Sequence, residues 1–388
     1  MNKPRRSESL RRGAISVLAA LFIVVLVGMV AFCVDIGYVL TAKEELQRTA
    51  DATALATCWE YAKQLSDGNS AATSMNYARY TASNYAANNA VTNAPLSVST
   101  NASNDASGDL VFGYISDLNG GASNFQTVDS SLYNAVKVRV RKDPALNGEV
   151  PYFFARIFGL QGQMLHADAT AAIVRNVNGF QVPADGSNLG ILPFALDLET
   201  WTNWMNGSGG DNFAWDPETK QVTPGQDGKR EVNLYPQGTG SPGNRGTVDI
   251  GGENNSTSDI ARQITDGISP GDMQALNDSG RQLEFNASGE MGLNGDTGIS
   301  AGVKDDLSQI LGQPRIIPVF KKVVGPGNNA EYTIVKWQGC RIVDVKLTGP
   351  MSKKCVMIQP APIATKGVIP APGSGGSSFV FSNVVLVK

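Results

Sequence analysis

The sequence predicts an α+β protein: a long N-terminal helix, first transmembrane and then a stalk, followed by exported, mostly antiparallel sheet domains with few helices. Three observations predict this. Residues 14–34, AISVLAALFIVVLVGMVAFCV, carry no charge. Apolar positions then recur at helical spacing, with no Gly or Pro between Tyr38 and Leu65. Further on, Val136, Val138 and Val140 alternate with Lys137, Arg139 and Arg141, as a half-buried strand requires.

The span comes first. As a helix, 14–34 rises roughly 30 Å, the thickness of a hydrocarbon core. A cleaved secretory signal has a shorter apolar segment, about 7–15 residues, and a small-x-small site. Here a cut after Ala31 would put Met29 at the minus-three place, and Phe32 precedes Cys33 where a lipoprotein signal wants a small residue. The segment reads as a retained anchor. Lys3, Arg5, Arg6, Arg11 and Arg12 precede it and Asp35 follows it. The positive-inside rule then keeps the tip 1–13 in the cytoplasm and exports the rest. Tyr38 falls where an aromatic ring would meet the headgroups.

Charge limits the partners. The tip holds five basic residues against Glu8, a net of +4, so a chain total of −3 leaves −7 for residues 14–388. An exported, mildly acidic bulk argues against nucleic acid. The 388 residues suffice for two globular domains. Abundant Gly, Asn, Ser and Thr suit an exported, loop-rich protein.

The stalk, 35–66, continues the helix. Ile36, Val39, Leu40, Lys43, Leu46, Ala50, Ala54 and Thr57 form one stripe, on which the Lys43 stem snorkels. Span and stalk together make a helix of about 50 residues, on the order of 75 Å. Within it Thr49, Ala50, Thr53, Ala54 and Thr57 form a face without bulk, which admits close backbone approach. Either the chain's own exported domain packs there or a neighbouring subunit's helix does; the first is favoured, because long exported helices dock on their own domain.

RRGAISVLAAL with Gly13, the D-x-G of Asp35 and Gly37, and the A-D-A-x-A-L-A of Ala50, Asp51, Ala52, Ala54, Leu55 and Ala56 resemble the N-terminal segment of TadE/TadG-like proteins. These are single-span components of the tight-adherence (Flp-type) pilus assembly system of bacteria. The close likeness covers roughly 11–58. A looser one continues through VPYFFARIFGL (150–160), HADATAAIV (166–174) and LGILPFALD (189–197). It implies a single-pass protein of the bacterial inner membrane, with the bulk of the chain periplasmic or extracellular. Its expected partners are the membrane through 14–34, other pilus-assembly or pilin-like proteins, and a second copy of itself. Two features of relatives are missing. The D-x-S-x-S metal loop of a von Willebrand A-type domain stops at Asp185, Gly186 and Ser187. Pilin-type subunits carry a Glu five residues after a cleaved Gly, whereas here Leu18 stands in that place after Gly13. An uncompensated charge in a fibre core is costly, so the chain is expected to stay whole and anchored.

The exported region divides at 67–177 and 178–388. A second helix is expected over 71–90, with Met75, Tyr77 or Ala78, Ala82 and Tyr85 inward. Strands are expected at 96–100, 110–116, 134–142 and through HADATAAIVRNV, with a short helix at 150–160 whose first turn holds Pro151. Beyond 178, residues 203–256 read as long loops or a surface flap. Helices are expected at 257–267 and 299–311, and strands at 315–324, 331–348, 353–359 and 379–388. The loop PAPGSGGSS (370–378) precedes the last.

Chemistry finds little footing. His166 is the one histidine, and no nucleophile motif accompanies it. Cys/His clusters for zinc and a Walker-type phosphate loop are missing. No catalytic, cofactor-binding or metal residue is therefore assigned. Asp117 with Asn119, and Asn294 with Asp296, fit ordinary turns better than calcium ligation. Trp201, Trp204 and Trp215 flank the Gly/Asn loops as core or as a glycan- or partner-binding surface. Cys340 and Cys355 lie on neighbouring strands, where export permits a disulfide. A turn centred on Gly349 and Pro350 leaves Cys340 two residues out of register, so pairing and free thiols both stand. The expected function is a non-enzymatic pilus-assembly scaffold or minor pseudopilin-like subunit. The alternative is a membrane-tethered hydrolase, or a carbohydrate-binding or adhesin protein.

Overall fold

A computed structural model describes residues 11–66, 69–235, 246–251, 256–296, 301–325, 330–371 and 376–387. The tip residues 1–10 lie outside the described residues. The chain folds as two compact units. One comprises the N-terminal helix up to Tyr61, Ala71–Ala172 and the last residues from Leu386; the other comprises Ala62–Ser70 and Ile173–Val385.

In the first unit, helix α1 spans Arg11–Ser66 without a break. Gly28 and Gly37 within it stand in open space, and it contains no Pro, so its backbone bonds stay internal, as a membrane span requires. Every large apolar side chain from Ile15 to Val34 is at least 44% exposed. By length and composition this helix could cross a membrane. From Asp35 onward one stripe turns inward: Asp35, Ala42, Leu46, Ala50, Thr53, Ala54, Thr57, Cys58 and Tyr61 are buried.

Helix α2 (Ala71–Asn88) brings the chain back along α1. The Thr49 hydroxyl donates to the Asn89 carbonyl (3.0 Å), and the Thr92 N–H donates to the Glu45 carboxylate (2.7 Å). The expected inward face of α2 needs correction. Ser74, Ala78, Arg79, Ala82 and Ala86 are buried, while Tyr77 and Tyr85 are about half exposed. Apart from Arg79, the inward stripe is built of small residues, which carry little hydrophobic signal in the sequence.

The helices cover a sheet of β1 (Leu110–Gly113), β2 (Ala135–Lys142) and β5 (Leu165–Ala172), with the C-terminal Val385–Val387 on the free edge of β5. Antiparallel register aligns Phe112 with Val136 and Val136 with Ala171. The Tyr61 ring on α1 and the Arg79 guanidinium on α2 both meet Phe112, at 5.3 and 5.2 Å between centres. The expected strand at 96–100 does not form. Its polar backbone is satisfied by side chains instead of a ladder: Asn147 brackets the Ser97 N–H and carbonyl, and Asp109 accepts the Ser99 N–H. Between β2 and β5 the expected helix at 150–160 is mostly a hairpin, with β3 (Val150–Pro151) paired to β4 (Gly162–Gln163). Only Ala155–Phe158 forms a helical turn, a 3-10 turn that ends at Gly159 with φ +85°.

The second unit is organised around the strand Ala330–Lys346. Pro314–Val324 pairs along one edge; Met291–Asp296, Ser377–Ser378 and Cys355–Pro360 take successive stretches of the other. Trp337 is fully buried at the middle, with Phe180 edge-on at 4.9 Å and Phe285 stacked at 5.8 Å. Ile316 and Ile317 enter different apolar clusters, as strand alternation requires. The expected helix at 257–267 forms as Thr257–Asp266, and that at 299–311 shrinks to Lys304–Gln309 after a turn at Ala301–Val303; residues 297–300 lie outside the described residues. Leu198–Met205 and Pro270–Asp278 are additional helices, capped by Asp197 and Ser269. Within 203–256 a hairpin forms from Phe213–Asp216 and Gln221–Pro224; 236–245 and 252–255 lie outside the described residues, as do 372–375 of the Gly/Ser loop. The expected final strand is two pieces. Val380–Ser382 pairs with Ile363–Thr365 and Val385–Val387 joins the first unit's sheet, so one segment serves two sheets.

The Cys340–Cys355 disulfide is not formed; both thiols are free. Register sets Cys340 opposite Pro360 and Cys355 opposite Lys346. Six residues of strand at about 3.3 Å each hold the two roughly 20 Å apart along the ladder, far beyond disulfide reach. The connection centres near Pro350, within one residue of the expected turn, and is a wide loop with its own 3-10 turn at Met351–Lys353.

Candidate functional site

The most distinctive site lies where α1 leaves its apolar stretch. The Asp35 side chain turns away from that exposed surface and is 3% exposed. Its Oδ1 accepts the Phe153 N–H at 2.7 Å, its Oδ2 accepts the Ala155 N–H at 2.7 Å, and the Phe154 N–H lies 3.2 and 3.1 Å from the two oxygens. Three consecutive backbone donors thus close on one carboxylate. Burial favours the protonated acid, but the N–H groups of Phe153, Ala155 and Phe154, together with the Arg156 charge, outweigh it and hold the carboxyl below the usual range.

The hairpin chemistry makes this clasp possible. Pro151 starts the excursion, and Gly162 lets β4 approach β3 where a Cβ would meet the Val150 carbonyl at 2.7 Å. The rings of Tyr38 and Phe153 pack edge-on at 4.9 Å beside the carboxylate. Gly37, its motif neighbour, has nothing close to where a Cβ would stand, and nothing in the structure explains it.

Higher on α1, the small-residue face is inside the protein. Thr49 is 2% exposed, and Ala50, Thr53, Ala54 and Thr57 are fully covered. The rest of the A-D-A-x-A-L-A stretch, Asp51, Ala52, Leu55 and Ala56, is half-buried. Asp51 accepts from Gln47 Nε2 (2.8 Å), which also donates to the Asp168 carbonyl of β5 (3.1 Å). Cys58 Sγ contacts the Asn134 carbonyl at 3.8 Å. Asp35, Gln47 and Cys58 therefore mark successive heights on the sheet, about 18 and 35 Å apart along the helix from the first. Gly13 lies in the first turn of α1, far along the helix from the clasp.

On the open side of the sheet is a row of ions. Arg139 pairs with its cross-strand neighbour Asp168 (2.7 Å), and Arg141 bridges Asp109 (3.0 Å) and Asp143 (2.9 Å). Asp109, Arg139, Arg141 and Asp143 of this row, with His166, line a polar hollow of about 400 Å³. Every carboxylate named there is already bound to an arginine. Among the described residues no group of three or more His, Cys, Asp or Glu side chains could hold a metal ion. In the second unit Trp204 is core, its Nε1 bound to the Arg230 carbonyl, while Trp201 donates to Gln338 and Trp215 lies beneath Arg341 at 4.4 Å. Asp185 accepts from Ser187 and is paired with Lys366.

Residues 13–60 match the family model described as Flp pilus-assembly TadE/G-like. Residues 61–171 match a second, described as Tad-like Flp pilus-assembly. Residues 13–171 are thus similar along their length to Tad pilus-assembly families. The first Tad match is α1 nearly to Tyr61, and the second carries α2 and the sheet to the end of β5, stopping one residue short of Ala172. No curated protein and no solved structure gives a significant match. The D-x-G motif was visible in the sequence, but the role of its Asp in holding the Tad region's hairpin was not. The signal lay in a second Tad segment, VPYFFARIFGL, whose unmet backbone donors nothing in the sequence ties to Asp35.

Proposed function

We propose that this chain is a membrane-anchored, non-enzymatic scaffold of Flp pilus assembly. It sits in a bacterial inner membrane with its N-terminus in the cytoplasm and its modules, 67–177 and 178–388, exported. The carrying observation is that α1 is one helix from the lipid-facing Ile15–Val34 to the buried Thr49–Thr57 face, with the Asp35 clasp between them. A rigid rod fastened to its sheet at Asp35, Gln47 and Cys58 sets the exported module at a fixed height and orientation. That is a mechanical task, and pilus assembly is the setting that the family matches supply. Since the small-residue face is covered by the chain's own unit, partners such as other pilus-assembly proteins, pilin-like subunits or a second copy engage other surfaces.

The test is deletion and complementation. Chains carrying single replacements of the exported Asp and Glu residues are scored for piliation by electron microscopy and for glycan cleavage. The scaffold reading expects pili to vanish on deletion and to return with every variant that leaves the fold intact. Pili that persist after deletion, or an acid whose replacement abolishes a cleavage activity and leaves pili intact, would refute it.

A further inference from the structure

The hairpin that grips Asp35 exposes an unusual surface. Ile157 and Phe158 are 83% and 84% exposed, and Phe153, Phe154, Leu160 and Met164 are each 44–59% exposed. Five of them, from Phe153 to Leu160, fall within eight residues at the tip, a patch that water alone does not favour, while Met164 borders the polar hollow beside Arg139 and Arg141. The patch is convex, on the tip of a hairpin and its 3-10 turn. It is also fixed in height: Phe153, Phe154 and Ala155 donate directly to Asp35, the residue at which the uncharged stretch ends. The exposed apolar flank of α1 continues past that point through Ile36 and Leu40, 42% and 55% exposed. The clasp therefore holds the hairpin tip at the level where the apolar stretch of α1 ends.

We propose that the tip, Val150–Met164, is a second membrane contact, an interfacial anchor whose apolar side chains enter the headgroup–acyl boundary of the leaflet from which α1 emerges. The occupant is lipid because the tip's apolar side chains stand at the level where the uncharged apolar run of α1 ends, where a span of this length meets a membrane boundary. Arg156, exposed within the 3-10 turn, lies where it can meet phosphate while its neighbours reach the acyl region. Two contacts resist tilting and spinning of the rod, which one span alone does not. The Asp35 clasp then couples them, since it ties the interfacial tip to the helix at the membrane boundary. This inference rests on the anchored reading above.

The test uses the full chain in nanodiscs of phosphatidylethanolamine and phosphatidylglycerol. Benzoylphenylalanine is placed singly at Ile157, Phe158, Ile23 and Val128, followed by irradiation and mass spectrometry. Val128, 91% exposed in the loop before β2, is the aqueous control at the far end of the sheet. Phospholipid adducts at positions 157 and 158 should come within about three-fold of those at 23 and exceed those at 128 by about ten-fold or more. Adducts at 157 and 158 to a second copy of the chain, or none while position 23 still labels, would overturn the interfacial anchor and leave the span standing. If position 23 also fails to take lipid, the anchored reading falls and this one with it.

Discussion

Ala54→Leu probes the fit between the stalk and its own unit. Ala54 is fully covered, and so are Ala50, Thr53, Thr57 and Cys58 around it. Leu adds three carbons. With room to spare their burial would contribute about 0.8 kcal/mol each. At a site with no exposed surface they must displace neighbours instead, and overpacking of this kind costs about 1–3 kcal/mol net. Leu and Ala differ little in helix propensity, so the loss belongs to packing. Glu44→Leu, one helical face away and exposed, should change stability by no more than about 0.5 kcal/mol. Native-state hydrogen exchange of the full chain in nanodiscs, read on peptides from the stalk and α2, measures the difference. Opening in Ala54→Leu should rise about 5- to 150-fold, against less than about three-fold for Glu44→Leu. Equal opening in the two variants would refute the argument that this face packs closely within the chain.

Other consequences follow from the same contacts. Asp35→Asn leaves one carbonyl oxygen for three N–H groups, so amide exchange at Phe153–Ala155 should accelerate while β2 and β5 stay protected. Unchanged exchange would show that the clasp is not what holds the hairpin. Because the folded Asp35 carboxyl is depressed, its contribution is present above the ordinary carboxylate range and is lost as pH falls through the folded value. Asp272 is bound by Arg262 at 3.0 and 2.6 Å and by the Ser269 N–H at 2.8 Å. Burial opposes its ionisation, but these partners prevail and hold its pKa low. Asp272→Asn should therefore cost about 1–3 kcal/mol near neutral pH, and urea unfolding should show the gap to wild type closing as acid protonates Asp272. Maleimide should reach Cys355 in the folded protein, but Cys58 and Cys340 only after denaturation, since both are buried and the Cys340 thiol is pushed up to about 12 by burial. A 340–355 crosslinked peptide in a non-reducing digest would contradict the register of their strands.

The sequence by itself determined the rod. An uncharged 14–34 and an unbroken helical pattern to Leu65 specify α1 because a helix satisfies its own backbone within a local stretch of chain. The strands expected at 134–142, 315–324 and 331–348 were legible to within two residues at each end for a similar reason, as alternation and apolar runs are local signals. What only the tertiary structure decided is who meets whom. Asp35 finds its partners 118–120 residues away, in a segment whose local pattern reads as a helix. The residues 96–100 have strand-like composition, but Asn147 and Asp109 take their backbone groups first. On α2 the buried stripe is, Arg79 apart, alanine and serine, too small to stand out against the tyrosines that face outward. Cys340 and Cys355 share a hairpin in sequence but are parted by its register. Each case turns on long-range geometry: a hydrogen bond or a close approach depends on where a distant backbone happens to arrive, and local periodicity does not encode that.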